Sequence, residues 1–158
     1  MRTKENLVNP ASDYYLYQPS TIASRLYLYP KEIGYFYYEP GYWRSRIQYN
    51  SFLLMYIAKG TCQVLLPNQQ LQNAAAGQVV LIDCYVPHEY GFDSNSEVAW
   101  IHFDGPLARD FYDLIFASHG NIISPSNPFP ITNGLDQMLH VFRNSKPLKE
   151  GKASEMIT

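Results

Sequence analysis

Trp100 and His102 stand two residues apart in the segment Glu97 to Phe103 (EVAWIHF), a spacing that suits molecular recognition. In an extended chain successive side chains point to opposite sides, so Val98, Trp100 and His102 share one face, and Ala99, Ile101 and Phe103 share the other. An indole is a flat apolar platform, and an imidazole offers a hydrogen-bond donor and acceptor. The pair therefore suits a neutral polar molecule such as a sugar, whose C–H face stacks while its hydroxyls seek partners. Each residue also has a plainer reading. Trp100 can simply fill a core, and His102 can satisfy one buried hydrogen bond.

Other chemistries are poorly served. A catalytic transition metal wants three or more ligands from His, Cys or carboxylate. His88 and His102, with Glu89, make a poor set, and the strands before Gly60 hold no histidine. His119 and His140 fall on helical or loop segments without partners. There is no Gly-x-Ser-x-Gly elbow, no phosphate-cradling glycine loop and no pair of carboxylates at a readable spacing. No metal, cofactor or catalytic residue is expected.

The elements that must position these side chains read as β structure followed by helices. Phe52 to Lys59 (FLLMYIAK) is a strand, Gly60 breaks it, and Thr61 to Leu66 (TCQVLL) resumes before the turn signal Pro67-Asn68, which reads as a hairpin. Gln78 to Ile82 has the length of a buried strand. Asp83 to Pro87 turns the chain and delivers His88-Glu89-Tyr90. Upstream, Arg25 to Tyr29 and Tyr35 to Glu39 read as the first strands, separated by a Pro30 to Gly34 turn, and Tyr42 to Tyr49 as the next. Tyr56 reads as core.

Beyond Gly105 the period changes. Leu107, Phe111, Leu114 and Ile115 predict an amphipathic helix over 106–118, with Pro106 in its first turn. Ile131, Leu135, Met138, Leu139 and Phe142 mark a second helix, and residues 151–158 open a third. Residues 1–20 are polar, with Pro10, Pro19 and Tyr14-Tyr15-x-Tyr17, and read as a flexible arm. The expected organisation is that arm, a barrel over 21–105 and a helical region over 106–158. The fold class is mainly β, a barrel followed by C-terminal α-helices.

The succession Leu54-x-Tyr56-Ile57-x-x-Gly60, Gly77-x-Val79-x-Leu81-Ile82, Pro87-His88-x-Tyr90 and Trp100-Ile101-His102-Phe103-x-Gly105 resembles the N-terminal sensor domain of AraC-family transcription regulators. The resemblance runs from Leu26 to Phe116. It implies that the barrel is a jelly roll, a cupin-like double-stranded β-helix that binds a small effector, often a sugar, and that dimerises through its C-terminal helices. It also implies that DNA is read by a separate helix-turn-helix domain, so the chain is expected to be the sensor part of a longer regulator. Tyr90 matches a pocket tyrosine and Trp100 a stacking tryptophan. The pocket arginine of the preceding strand is Arg44 or Arg46, and strand alternation lets both point inward. His88 and His102 complete the candidate set. In the family the arm can close over effector, which makes Tyr14 and Tyr17 lid candidates; an ordinary disordered terminus is the alternative. Val98 stands where the arabinose sensor of the family carries a histidine, which argues against arabinose.

Two rival readings share this architecture. In a metal-dependent cupin enzyme, His88 would fall at the histidine of the second cupin motif, but Asp83 and Tyr85 stand where its Pro and Gly occur. A stand-alone carbohydrate-binding module would need no DNA-reading domain after its helices, whereas a regulator would continue into one.

Composition narrows the partners. With 12 basic and 14 acidic residues among 158, the formal net charge is −2. No basic stripe of the kind that grips nucleic acid is present. Cys62 and Cys84 fit no metal spacing and read as free thiols in the core of a cytoplasmic protein, with a cross-hairpin disulfide as the alternative. The N-terminus lacks a secretory h-region, and no stretch approaches the roughly 20 apolar residues of a membrane helix.

Overall fold

A computed structural model describes residues 1–158. Strand β1 (Asp13–Leu16) and helix α1 (Thr21–Leu26) precede the long strand β2 (Tyr29–Tyr38). Then come β3 (Tyr42–Arg46), β4 (Phe52–Lys59), β5 (Thr61–Leu65), β6 (Gln72–Ala75), β7 (Val79–Asp83), β8 (His88–Phe92) and β9 (Ser96–Asp104). Helix α2 (Ala108–His119), the short β10 (Ile122–Ile123), α3 (Phe129–Arg143) and α4 (Glu150–Ile157) complete the chain. Two antiparallel sheets face one another, one ordered β1-β2-β9-β4-β7-β10 and the other β3-β8-β5-β6.

The larger sheet is buried on both faces, and the sequence shows why. Val98 and Trp100 of β9, with Leu53, Met55 and Ile57 of β4, pack toward the smaller sheet. Ala99, Ile101 and Phe103, with Phe52, face outward and share one apolar cluster with Ala108 of α2 and Leu135, Met138 and Leu139 of α3. Strands covered on both sides carry near-continuous apolar runs, as VVLI and VAWI do. The alternation read for β9 holds. The apolar stripe of α3, which the resemblance offered as a dimer contact, is covered by the chain's own sheet.

Several boundaries differ from the sequence expectation. Arg25 and Leu26 end a helix over 21–26 rather than start a strand; the Ser20 hydroxyl accepts from the Ala23 N–H and caps that helix. Pro30 to Gly34 is not a turn but the first half of β2. Pro30 lies near the strand's start, where a register shift against β9 between Pro30 and Glu32 absorbs the irregularity, a setting that tolerates the missing N–H. β3 ends at Arg46, and Ile47 is 83% exposed. β4 and β5 do not form a hairpin. Gly60, at φ +89°, carries the chain from one sheet to the other, and the Pro67-Asn68 turn instead joins β5 to β6. A side chain at Gly60 would collide with Ser96 Oγ.

The segment expected as a flexible arm lies against the barrel. β1 pairs with β2 from Asp13↔Tyr35 to Leu16↔Glu32, and upstream the Asn9 N–H donates to Tyr37 O and the Glu39 N–H to Leu7 O. The barrel therefore takes edge strands from both flanking segments, β1 from the arm and β10 from the helical region. Cys62 and Cys84 are free and buried, and burial pushes each thiol up to about 12. No helix is long and apolar enough to cross a membrane.

Candidate functional site

The two sheets and the arm line a half-open cavity of about 180 Å³. That is below the roughly 300–1,000 Å³ of drug-sized sites and sets the occupant to a small solute. β3 supplies Arg44 and Arg46, paired in register with Tyr90 and His88 of β8. Both guanidiniums line the cavity, so the choice between them does not arise. β8 contributes Tyr90, β9 contributes Trp100 and His102, and β1 contributes Tyr14. Six of the eight residues singled out from the sequence thus meet in one place.

Two do not. His88 is buried outside the cavity, its Nδ1 2.8 Å from Val86 O, where it ties down the turn ahead of β8. Tyr17 does not line the cavity. Its hydroxyl donates to Glu150 Oε2 at 2.7 Å and its ring packs edge-on to Phe142, both on the far side of β1 from the cavity.

Trp100 is 6% exposed, with its ring edge-on to Phe36 at 5.0 Å, so it serves core and cavity together. His102 Nδ1 lies 2.8 Å from Ser51 Oγ. Burial, helped by the Arg46 charge, pushes its pKa down to about 3, so the ring is neutral at physiological pH. Burial likewise raises Tyr90 to about 12. Arg46 lies over the Tyr49 ring, 4.1 Å from its centroid. Three buried N–H donors of lining residues have no partner: Arg44 Nε, Arg46 Nη1 and Trp100 Nε1. Buried polar groups are nearly always paired, and these three unpaired donors all belong to residues that line one cavity.

Glu5 and Glu32 also line the cavity, and neither is among the residues the sequence singles out. A turn over residues 30–34 would conceal Glu32. Read as one strand, β2 puts Glu32, Gly34, Phe36 and Tyr38 on a single inward face. Burial raises the Glu32 pKa against the opposing pull of Arg46, Lys31 and Arg44. Glu5 comes from the arm. Arg44 Nη2 and Tyr42 Oη each donate to its Oε1 at 2.6 Å, and nothing local in the sequence signals that contact.

β1 faces two ways. Tyr14 points into the cavity and meets Phe36 edge-on, while Asp13 and Tyr15 face the helices. Arg143 Nε and Nη2 donate to Asp13 Oδ2 and Oδ1 at 2.7 and 3.0 Å, Tyr15 Oη donates to Asp13 Oδ2 at 2.9 Å, and Tyr15 stacks on Phe142. Burial pushes the Asp13 carboxyl up, but the hydrogen bonds from Arg143 and Tyr15 and the Arg143 charge outweigh it, so its pKa is lowered. A carboxylate with a lowered folded-state pKa contributes stability above its unfolded value of about 3.9, and that contribution is lost as pH falls through the folded value. The expected result is a wild-type advantage in thermal midpoint over Arg143→Met at pH 6 that is lost as pH falls below the unfolded value of about 3.9. Parallel curves across that range would show that the pair does not hold the arm.

No three His, Cys, Asp or Glu side chains gather closely enough to hold a metal ion. The fold is a mainly β sandwich with a small polar cavity under its own first strand. The sequence matches the AraC-like ligand binding domain model over residues 29–157, and the chain belongs to that family. Among solved structures, YhaK of Escherichia coli superposes with a TM-score of 0.50 at 14% identity, over 60% of this chain and 44% of that one. A cupin superfamily protein of Desulfitobacterium hafniense gives 0.44 at 14% identity, over 65% and 82%. An HTH_3 family transcriptional regulator of Vibrio cholerae gives 0.48 at 13% identity, over 66% and 56%. Comparison with curated proteins gives no significant match.

Proposed function

We propose that this domain senses a small polar effector of the carbohydrate class, binds it without converting it, and regulates transcription through a separate DNA-reading domain. The observation that carries the reading is the set of three unpartnered donors around a small cavity, two from arginines and one from a tryptophan. Membership of the AraC-like ligand binding domain family supports reading this cavity as the effector site. Effector binding would shift a population of arm and helix arrangements, with β1 as the link, since its Tyr14 meets the ligand and its Asp13 and Tyr15 meet α3. Pairing of two copies and a cytoplasmic location belong to the same reading.

The test is a thermal-shift panel of mono- and disaccharides and their acidic derivatives. A compound present at about 100 times its Kd adds about 2.7 kcal/mol of stability. Trp100→Phe is the control, because it removes the indole N–H while keeping an aromatic ring in the core. Stabilisation by some member of the panel, reduced in Trp100→Phe, is expected. A protein whose melting no member moves is not a sensor of this class.

A further inference from the structure

The cavity already holds a carboxylate, and it belongs to the protein. Glu5 Oε1 accepts from Arg44 Nη2 and from Tyr42 Oη, both at 2.6 Å. A guanidinium and a phenol converging on one carboxylate oxygen form a recognition group for that anion. Yet Glu5 is not part of the barrel wall. It sits on the arm ahead of β1, held near the site by backbone contacts of Leu7 and Asn9 to β2 and its flank.

The charges around the cavity lead the same way. Arg44 and Arg46 face Glu5 and Glu32, two cations against two carboxyls. Lifting Glu5 away leaves two guanidiniums against one carboxyl, and an incoming anion restores the balance. All three unpartnered atoms of the lining are donors, Arg44 Nε, Arg46 Nη1 and Trp100 Nε1. Such a site favours acceptor-rich ligands, and a carboxylate accepts at both oxygens without donating. Glu32 supplies a carboxyl for a ligand hydroxyl, and the volume of about 180 Å³ limits size.

We propose that the effector is a hydroxylated carboxylic acid of monosaccharide size, a sugar acid, whose carboxylate replaces that of Glu5 on Arg44 and Tyr42. This rests on the sensing function proposed above and specifies its ligand. Glu5 is then an internal stand-in that the effector evicts, and occupancy of the site changes the hold on the arm.

Calorimetric titration of the purified chain with galacturonate and gluconate, beside galactose and glucose, tests the assignment. The acids are expected to bind roughly tenfold or more tighter than the neutral sugars, the scale of one charge-assisted hydrogen-bond pair. Glu5→Ala removes the competitor and should tighten the acids several-fold, whereas Arg44→Gln should lose them while circular dichroism shows the fold retained. Neutral sugars binding as well as their acids would overturn the sugar-acid assignment and leave sensing intact. Weaker acid binding by Glu5→Ala would overturn it too, since Glu5 would then clamp the arm over the ligand. Silence from all four compounds overturns it, and the wider thermal panel then decides separately whether any effector is sensed.

Discussion

Phe52→Ala is expected to destabilise the protein by about 3–5 kcal/mol, the range for removing a fully buried aromatic ring. Phe52 is 1% exposed and lies on the outer face of the larger sheet, ringed by Tyr85, Phe103 and Tyr112 at centroid distances of 5.5, 6.0 and 5.3 Å. The Arg109 guanidinium sits 4.8 Å from the ring centroid while its Nη1 donates to Asp83 Oδ2. The neighbours cannot easily collapse into the space. The Tyr85 hydroxyl is bonded to Asp104, and that of Tyr112 accepts from Asn121 Nδ2. Denaturant titration should show a lower midpoint at unchanged slope. Because the cavity opens on the opposite face of the same sheet, effector affinity of the folded fraction should match wild type. A loss below about 1 kcal/mol would mean that α2 is docked by something other than this ring.

Gly34→Val should be nearly as damaging, and for the contrary reason. A Cβ at residue 34 would lie 2.5 Å from Trp100 Cζ2 and 2.8 Å from the Asp13 carbonyl oxygen, on two sides that cannot both give way. The Trp100 ring is wedged against Phe36 and β1 is tied down by the Asp13–Arg143 pair. Overpacking of this kind costs about 1–3 kcal/mol, and a branched side chain belongs at the upper end. Here one change also displaces both the aromatic floor of the cavity and the strand above it. The variant should therefore keep its β-rich circular dichroism spectrum while losing the effector-induced rise in melting temperature. A variant that still responds to effector at wild-type concentrations would show that Trp100 and β1 need not touch across Gly34.

That same glycine marks the border between what the sequence reveals and what it conceals. The strands β4, β7 and β9 are plain because both of their faces are buried and their apolar runs are unbroken. Alternation alone puts Trp100 and His102 on one side, and the family resemblance adds Arg44, Arg46, Tyr90 and Tyr14. Pro30 and Gly34 read as punctuation because those residue types most often break strands. Their reasons here are tertiary, an irregular register against β9 and the approach of an indole, and no local pattern reveals either. A turn at that point hides Glu32, which a continuous β2 exposes at once. Glu5 is out of reach for a different reason. Its partners lie 37 and 39 residues away on another strand, and the contact depends on how the arm folds back. The α3 stripe is apolar as its spacing predicts, but amphipathicity says only that a face is covered and not by what.

The two cysteines have a practical consequence. With both sulfurs sealed in the interior and their ionisation suppressed, maleimide reagents at neutral pH should pass them by. A single cysteine placed at Asn6 and another at Asp136 would accept a donor and an acceptor dye without any need to strip the native thiols. The distance between those dyes would then report in real time whether the arm leaves the barrel when a ligand is added.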